Sequence, residues 1–339
     1  MGELLEDPNI LIYAAGILAV IVATPICHRI PRTRGVNPVA HAVFFAIAAA
    51  SLLLVPDYIQ FHIFNPGGVL VIGTIWPSYA SIAAVCSIDE DDDTAWLQYW
   101  LASATFTYAT EFMDVIAEHA PVIAEHWYEL EFFVMLWLIL PHTDGSSLIY
   151  DKLTEPYVAP VTQKLKSKLE GWVGVIATAV NTSYLWIIWA SFVTLPEEAR
   201  RFVMVVTGTV YPIIASTVAV TTKSDVSDDT YWLTYWPCFN LLFVTMDFLE
   251  EFVGQITGFY SLCLVATVYL FLPMFRGAEA VLRNVLVPLS GQYENMLLRD
   301  TWLLRREMEK KTPPAMIESL RIKAATVFLK GTDKEKKLE

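Results

Sequence analysis

The stretch DDTAWLQYW, residues 92–100, sets two acids and a threonine directly before a knot of aromatic rings, and DDTYWLTYW at 228–236 repeats it. Upstream of these anchors, WPSYASIAAV (76–85) aligns with YPIIASTVAV (211–220), which pairs Trp76-Pro77 with Tyr211-Pro212 and keeps an Ala-Ser step. Downstream, LPHTDGSSLIYDKLTEP (140–156) aligns with LPMFRGAEAVLRNVLVP (272–288), matching Pro141 to Pro273, Gly145 to Gly277 and Pro156 to Pro288. Between these anchors Glu111 in ATEF meets Asp247 in TMDF. The matches keep one order and a near-constant offset, so the chain is a tandem duplication.

Composition decides the medium. Of 339 residues, 55% are hydrophobic and only 17% charged, and the mean hydropathy is +0.45. A soluble chain of this length carries more charge, so the membrane class leads. The net charge of −13 argues against nucleic acid as a partner, because phosphate binding needs a basic surface. The four cysteines, Cys27, Cys86, Cys238 and Cys263, form no CxxC pair and read as reduced packing thiols.

A membrane span takes about 20 mostly apolar residues to cross about 30 Å of hydrocarbon. Eight such segments fall near 9–27, 38–56, 67–87, 95–117, 127–141, 172–195, 201–220 and 231–249, with a ninth near 257–273. Segments 127–141 and 257–273 are short for a straight crossing, which points to tilt, local thinning or a hairpin that dips in and returns. If all segments cross, only Arg200 and Arg201 of the 23 Lys and Arg fall opposite the rest, so the basic side is cytosolic and carries the C-terminal tail. Each unit has four spans, so the copies point the same way as parallel repeats.

The opening motif reads as the water-side entry of a membrane helix. Asp92, Asp93 and Thr94, like Asp228 and Asp229, are placed to cap a helix start. Trp96, Tyr99 and Trp100 share one helical face, as do Trp232, Tyr235 and Trp236, and such rings suit the headgroup level.

The combination resembles the receptor-expression-enhancing proteins, with the yeast Yop, deleted-in-polyposis-type and plant abscisic-acid-induced relatives. The residues that carry the resemblance are Trp76-Pro77, Asp92-Asp93, Trp96, Tyr99-Trp100, Glu111, Tyr128-Glu129 in YEL, Pro141, Gly145 and Tyr150. The second copy repeats most of them but lacks YEL. The resemblance implies an integral endoplasmic-reticulum protein whose short hairpins and cytosolic amphipathic helices bend the bilayer, which self-associates, and which is neither an enzyme nor a cofactor carrier. The fold expected is all-α: a polytopic membrane protein of tandem hairpin-type repeats whose principal partner is the lipid bilayer.

After the first copy, Tyr157, Val161, Leu165 and Leu169 recur every four residues with Lys164, Lys166 and Lys168 at their flanks, a basic amphipathic stretch suited to a membrane surface. In the tail, Met296, Leu297, Leu303, Leu304 and Met308 lie opposite Arg299, Arg305 and Arg306, which fits either a surface helix or one packed on the protein. The resulting division is N-terminal spans at 1–65, a first repeat with its amphipathic helix at 66–170, a connecting span at 171–200, a second repeat at 201–290 and a helical tail at 291–339.

Two other readings compete. Glu111, Asp114 and Glu118 share one face, and Asp247, Glu250 and Glu251 occupy the comparable place in the second copy, so an ion path is an alternative. A structural subunit of a larger membrane complex is the other. The sequence has no HxxxH box, no Gly-rich phosphate loop and no GxSxG, and the repeated AEH at 117–119 and 124–126 has no counterpart in the second copy.

Overall fold

The computed structural model describes residues 37–54, 61–89, 91–110, 121–180, 184–222, 226–254, 256, 258–272 and 274–311. The span at 9–27, Cys27, Glu111, Asp114, Glu118 and Pro273 lie outside the described residues. Every regular element among the described residues is helical.

The first copy opens with α1 (Pro38–Leu54). Helix α2 (Pro66–Cys86) follows, capped where Asn65 accepts from the Gly68 amide at 2.9 Å. Next come α3 (Asp91–Thr110) and the short α4 (Trp127–Ile139). Helix α5 then runs continuously through Gly145–Ile149, Tyr150–Val158 and Ala159–Val180, the middle piece wound as a π-helix around Pro156. The second copy answers with α6 (Tyr184–Val193), α7 (Glu197–Thr221), α8 (Val226–Val253) and the short α9 (Phe259–Phe271). It closes with α10, built from Gly277–Val281, a π-turn at Leu282–Leu286 and Val287–Ser290, and the tail helix α11 (Tyr293–Lys311) follows it. Helix α5 crosses residue 170 without a break, so its amphipathic stretch and the start of the connecting span form one rod.

The two copies share a core instead of owning one each. Helix α8 of the second copy packs on α2 of the first, and α3 of the first packs on α7 of the second. The trailing helices cross over in the same sense: α5 lies on α7, and α11 lies on α2. Small residues make the close approach possible. Ala80, Ser81 and Ala84 in α2, and Ala215, Ser216 and Ala219 in α7, are all buried at helical spacing. A second, smaller core of Phe192, Met204, Met246, Phe259, Tyr260 and Cys263 joins α6 to α7, α8 and α9.

Helices α2 and α7 are long and apolar enough to cross a membrane. Helices α4 and α9 have 13 residues each, about 20 Å at 1.5 Å per residue, against about 30 Å of hydrocarbon. Each ends at the same kind of turn. Asp144 (φ 45°) and Arg276 (φ 49°) take the left-handed conformation, and the glycine that follows lies under a ring eight residues back. A Cβ on Gly145 would stand 2.6 Å from the Trp137 ring, and one on Gly277 would stand 2.6 Å from that of Tyr269. The glycine of the repeated Pro-x-x-x-Gly element is therefore a requirement of contact. Pro141 is buried in the same turn.

The interface between the two copies

The repeated proline comes first, because it creates a need. Pro77 has no amide to offer the Gly73 carbonyl four residues back, and the backbone around that carbonyl is wound as a π-turn, Val71–Ile75. The Tyr99 hydroxyl of the next helix donates to that Gly73 carbonyl at 2.6 Å. In the second copy Pro212 likewise frees Gly208, and the Tyr235 hydroxyl donates to its carbonyl at 2.5 Å. The neighbouring tryptophan anchors the Ala-Ser step: Trp100 Nε1 donates to Ser81 Oγ at 2.9 Å, and Trp236 Nε1 to Ser216 Oγ at 3.1 Å. Within each copy the YW of the motif thus clamps the first helix to the second.

The aspartate and threonine act between copies. Thr94 Oγ1 donates to Asp229 Oδ2 at 2.7 Å, and Thr230 Oγ1 donates to Asp93 Oδ2. The indoles of Trp100 and Trp236 stack on each other, centroids 6.4 Å apart and planes 10° apart. Residue i of one copy meets residue j of the other while j meets i, the mark of a two-fold, self-complementary contact.

This arrangement corrects two expectations. Helix α3 begins at Asp91, so Asp92, Asp93 and Thr94 sit inside its first turn, and the Asp93 carboxylate turns to Thr230 and Arg299 of other helices. Asp228 and Asp229 hold the comparable place in α8. The rings of Trp96, Tyr99, Trp100, Trp232, Tyr235 and Trp236 do not face headgroups; all six are buried in the shared core. Trp100 and Trp236 cover each other across the copies, whereas Tyr99 and Tyr235 are held from within their own copy. Trp76 and Pro77 are buried beside them, as is Pro212, while Tyr211 packs on the rings of Trp232 and Phe271.

Asp93 is fully buried and pairs with Arg299 of the tail at 3.3 Å. Burial pushes its carboxyl above the usual carboxylate range, and Arg299 and Thr230 pull it part of the way back. Arg299 was assigned by sequence to the polar face of α11, but it points into the protein between the copies, where it also donates to Thr230 Oγ1 at 3.1 Å. Nothing in the local sequence marks it, because its partners lie in two other helices. Nearby, Arg283 holds Asp300 in a two-pronged pair at 2.7 and 3.0 Å and keeps that carboxyl below its usual range.

The remaining motif residues serve the flanks. Glu129 of YEL is buried and accepts from Ser51 Oγ at 3.2 Å, tying α1 to α4, whereas Tyr128 is exposed. Tyr150 is buried at the start of the π-helix. Asp247 pairs with Arg201 at 3.3 Å, Glu250 pairs with the same arginine at 3.5 Å, and Glu250 also accepts from the Tyr260 hydroxyl at 2.8 Å. The two arginines that stand apart from the other basic residues in the topology thus sit against acids and a tyrosine, Arg200 lying over the Tyr260 ring. Along α5, Tyr157, Val161 and Leu165 are exposed, as are Lys164 and Lys168. On α11, Leu297, Leu304 and Met308 are exposed while Met296 is buried.

Removing one hydroxyl tests the clamp. Tyr99→Phe leaves the buried Gly73 carbonyl without its partner, and we expect a loss of about 1–3 kcal/mol in unfolding free energy in detergent micelles. Tyr99→Phe should cost clearly more than Tyr128→Phe, since Tyr128 is exposed; equal effects would dismiss the clamp.

An all-helical chain of two like units, closed on each other and rich in apolar helices, defines a duplicated membrane domain. The TB2/DP1, HVA22 family domain is found twice in the chain, at residues 77–157 and 212–289. It is 40% identical over 88 residues to "Receptor expression-enhancing protein 1" of Mus musculus, covering 26% of this chain and 42% of that protein. It is 37% identical over 98 residues to "Protein yop1" of Emericella nidulans, covering 28% of this chain and 55% of that protein. The similarity therefore spans about half or less of these relatives' length. No solved structure matches the chain.

Proposed function

We propose that this protein shapes or stabilises curved, tubular membrane of the endoplasmic-reticulum type, by wedging short helical hairpins into the cytosolic leaflet and by scaffolding. The observation that carries the reading is the pair of 13-residue helices α4 and α9, each too short for a straight crossing and each hung on one shared core. Two such elements held by one core would displace lipid in one leaflet more than in the other. The amphipathic surfaces add to this. Tyr157 is 70% exposed, Leu304 64% and Met308 67%, and apolar groups so placed find cover in a bilayer surface, with Lys164, Lys166 and Lys168 favouring anionic lipid. In this reading the tail is cytosolic, the N-terminal spans anchor the unit through Glu129, and whole molecules self-associate along the tubule. The pairing of Asp247 with Arg201 gives that acid a structural task.

Reconstitution tests it. Purified protein at high density in liposomes should draw them into tubules or small vesicles, while liposomes of unchanged size and shape would sink the proposal. Replacing the exposed Leu304 and Met308 with glutamate should reduce tubulation without abolishing it, because the hairpins remain.

A further inference from the structure

The interface between the copies is self-complementary, and that raises a problem of partner choice. Thr94 with Asp229, and Thr230 with Asp93, would form as well between two chains as within one. Tethering favours the intrachain pair, since linked modules see each other at roughly millimolar effective concentration. In the plane of a membrane, however, neighbouring chains are crowded too, and a tether alone discriminates weakly.

One helix touches both copies across their seam. Arg299 of α11 bonds Asp93 of the first copy at 3.3 Å and Thr230 of the second at 3.1 Å through the same Nη2. Met296 Sδ lies 3.6 Å from Cys86 Sγ in α2, and Gln292 Nε2 donates to the Tyr79 hydroxyl at 3.4 Å, both in the first copy. At the other edge Asp300 is gripped by Arg283 of the second copy. Separating the copies requires lifting α11, and lifting α11 strands a buried aspartate.

We propose that α11 is a strap that keeps the pairing of the two copies inside one chain, and that its release lets the same Asp-Thr and Trp surfaces pair with those of a second chain. The strap is thus a control on self-association, and the proposal deepens the scaffolding reading. Its test reads pairing and not curvature, so either can fail without the other.

Two full-length chains with different tags are co-expressed and solubilised in mild detergent. One tag is captured and the other quantified, with helicity checked by circular dichroism. Arg299→Ala should raise co-capture roughly tenfold over wild type, the change that follows from 1.4 kcal/mol of lost intrachain preference. Asp300→Ala, which frees α11 from Arg283 at its other edge, should do the same, and Arg299→Lys, which keeps the charge but not the planar fork, should fall between. Adding Thr94→Val and Thr230→Val to Arg299→Ala should remove the increase. Folded variants with wild-type co-capture overturn the proposal. An increase that survives the two valines also overturns it, since the new contact would lie elsewhere. If neither Arg299→Ala nor Asp300→Ala keeps its helicity, α11 is an element of folding and not a releasable strap, and the proposal falls on that result as well.

Discussion

Replacing Trp100 with alanine is expected to lower the unfolding free energy by about 3–5 kcal/mol, the usual cost of removing a large ring from a packed core. Three losses coincide at this position. The indole is buried, its Nε1 bonds Ser81, and its face stacks on Trp236 of the other copy. Trp236→Ala should cost a similar amount for the same reasons. The double replacement is the informative one. Because the rings touch, the second loss should fall short of the first by about 0.5–1.5 kcal/mol, the range for an aromatic pair. Denaturation followed by tryptophan fluorescence or circular dichroism in micelles supplies the four corners of that cycle. Strict additivity would mean that the stacking couples nothing, and the two copies would then be neighbours without a shared core. As a control, Trp186→Ala on the exposed face of α6 should change stability little.

The second large effect comes from a methyl group. Gly208→Ala puts a Cβ into the Phe239 ring and 2.9 Å from Thr267 Cγ2, so α7 must retreat from α8 and α9. Overpacking of this kind costs about 1–3 kcal/mol. Alanine gains up to about 1 kcal/mol over glycine as a helix former, which offsets part of the penalty but does not cancel it. The retreat also lengthens the bond from the Tyr235 hydroxyl to the Gly208 carbonyl, which adds to the loss. The matched control is Gly174→Ala in α5, where a Cβ meets nothing within 4 Å and only the propensity gain remains. Thermal midpoints should therefore move in opposite directions for the two glycine replacements. A stabilised Gly208→Ala would show that the helices are not in the close contact described.

Much of the plan was legible from the chain alone, for a physical reason. Hydrophobic runs and the need to satisfy backbone groups within lipid dictate helices, and a doubled motif dictates two like units. The short segments at 127–141 and 257–273 appear as the 13-residue α4 and α9, since their length is set by the residues between a polar start and a Leu-Pro stop. What failed was the assignment of direction. An aromatic face beside an acidic turn suits a headgroup belt and a protein interface equally well, because both offer one apolar and one polar side. Spacing says that Trp96, Tyr99 and Trp100 share a face; it does not say what the face meets.

The sequence by itself determined the helical class, the duplication and which residues recur in both copies, because these follow from hydropathy, order and local periodicity. Only the tertiary structure decided what those residues do. The proline's missing amide is answered by a tyrosine 22 or 23 residues on, the threonine of each copy by the aspartate of the other, and Asp93 by an arginine in the tail. Each of these bonds joins separate helices, and no local pattern specifies which helices will lie together. The doubled DDT motif is thus the seam along which one half of the chain recognises the other, and its second copy is the partner that the first requires.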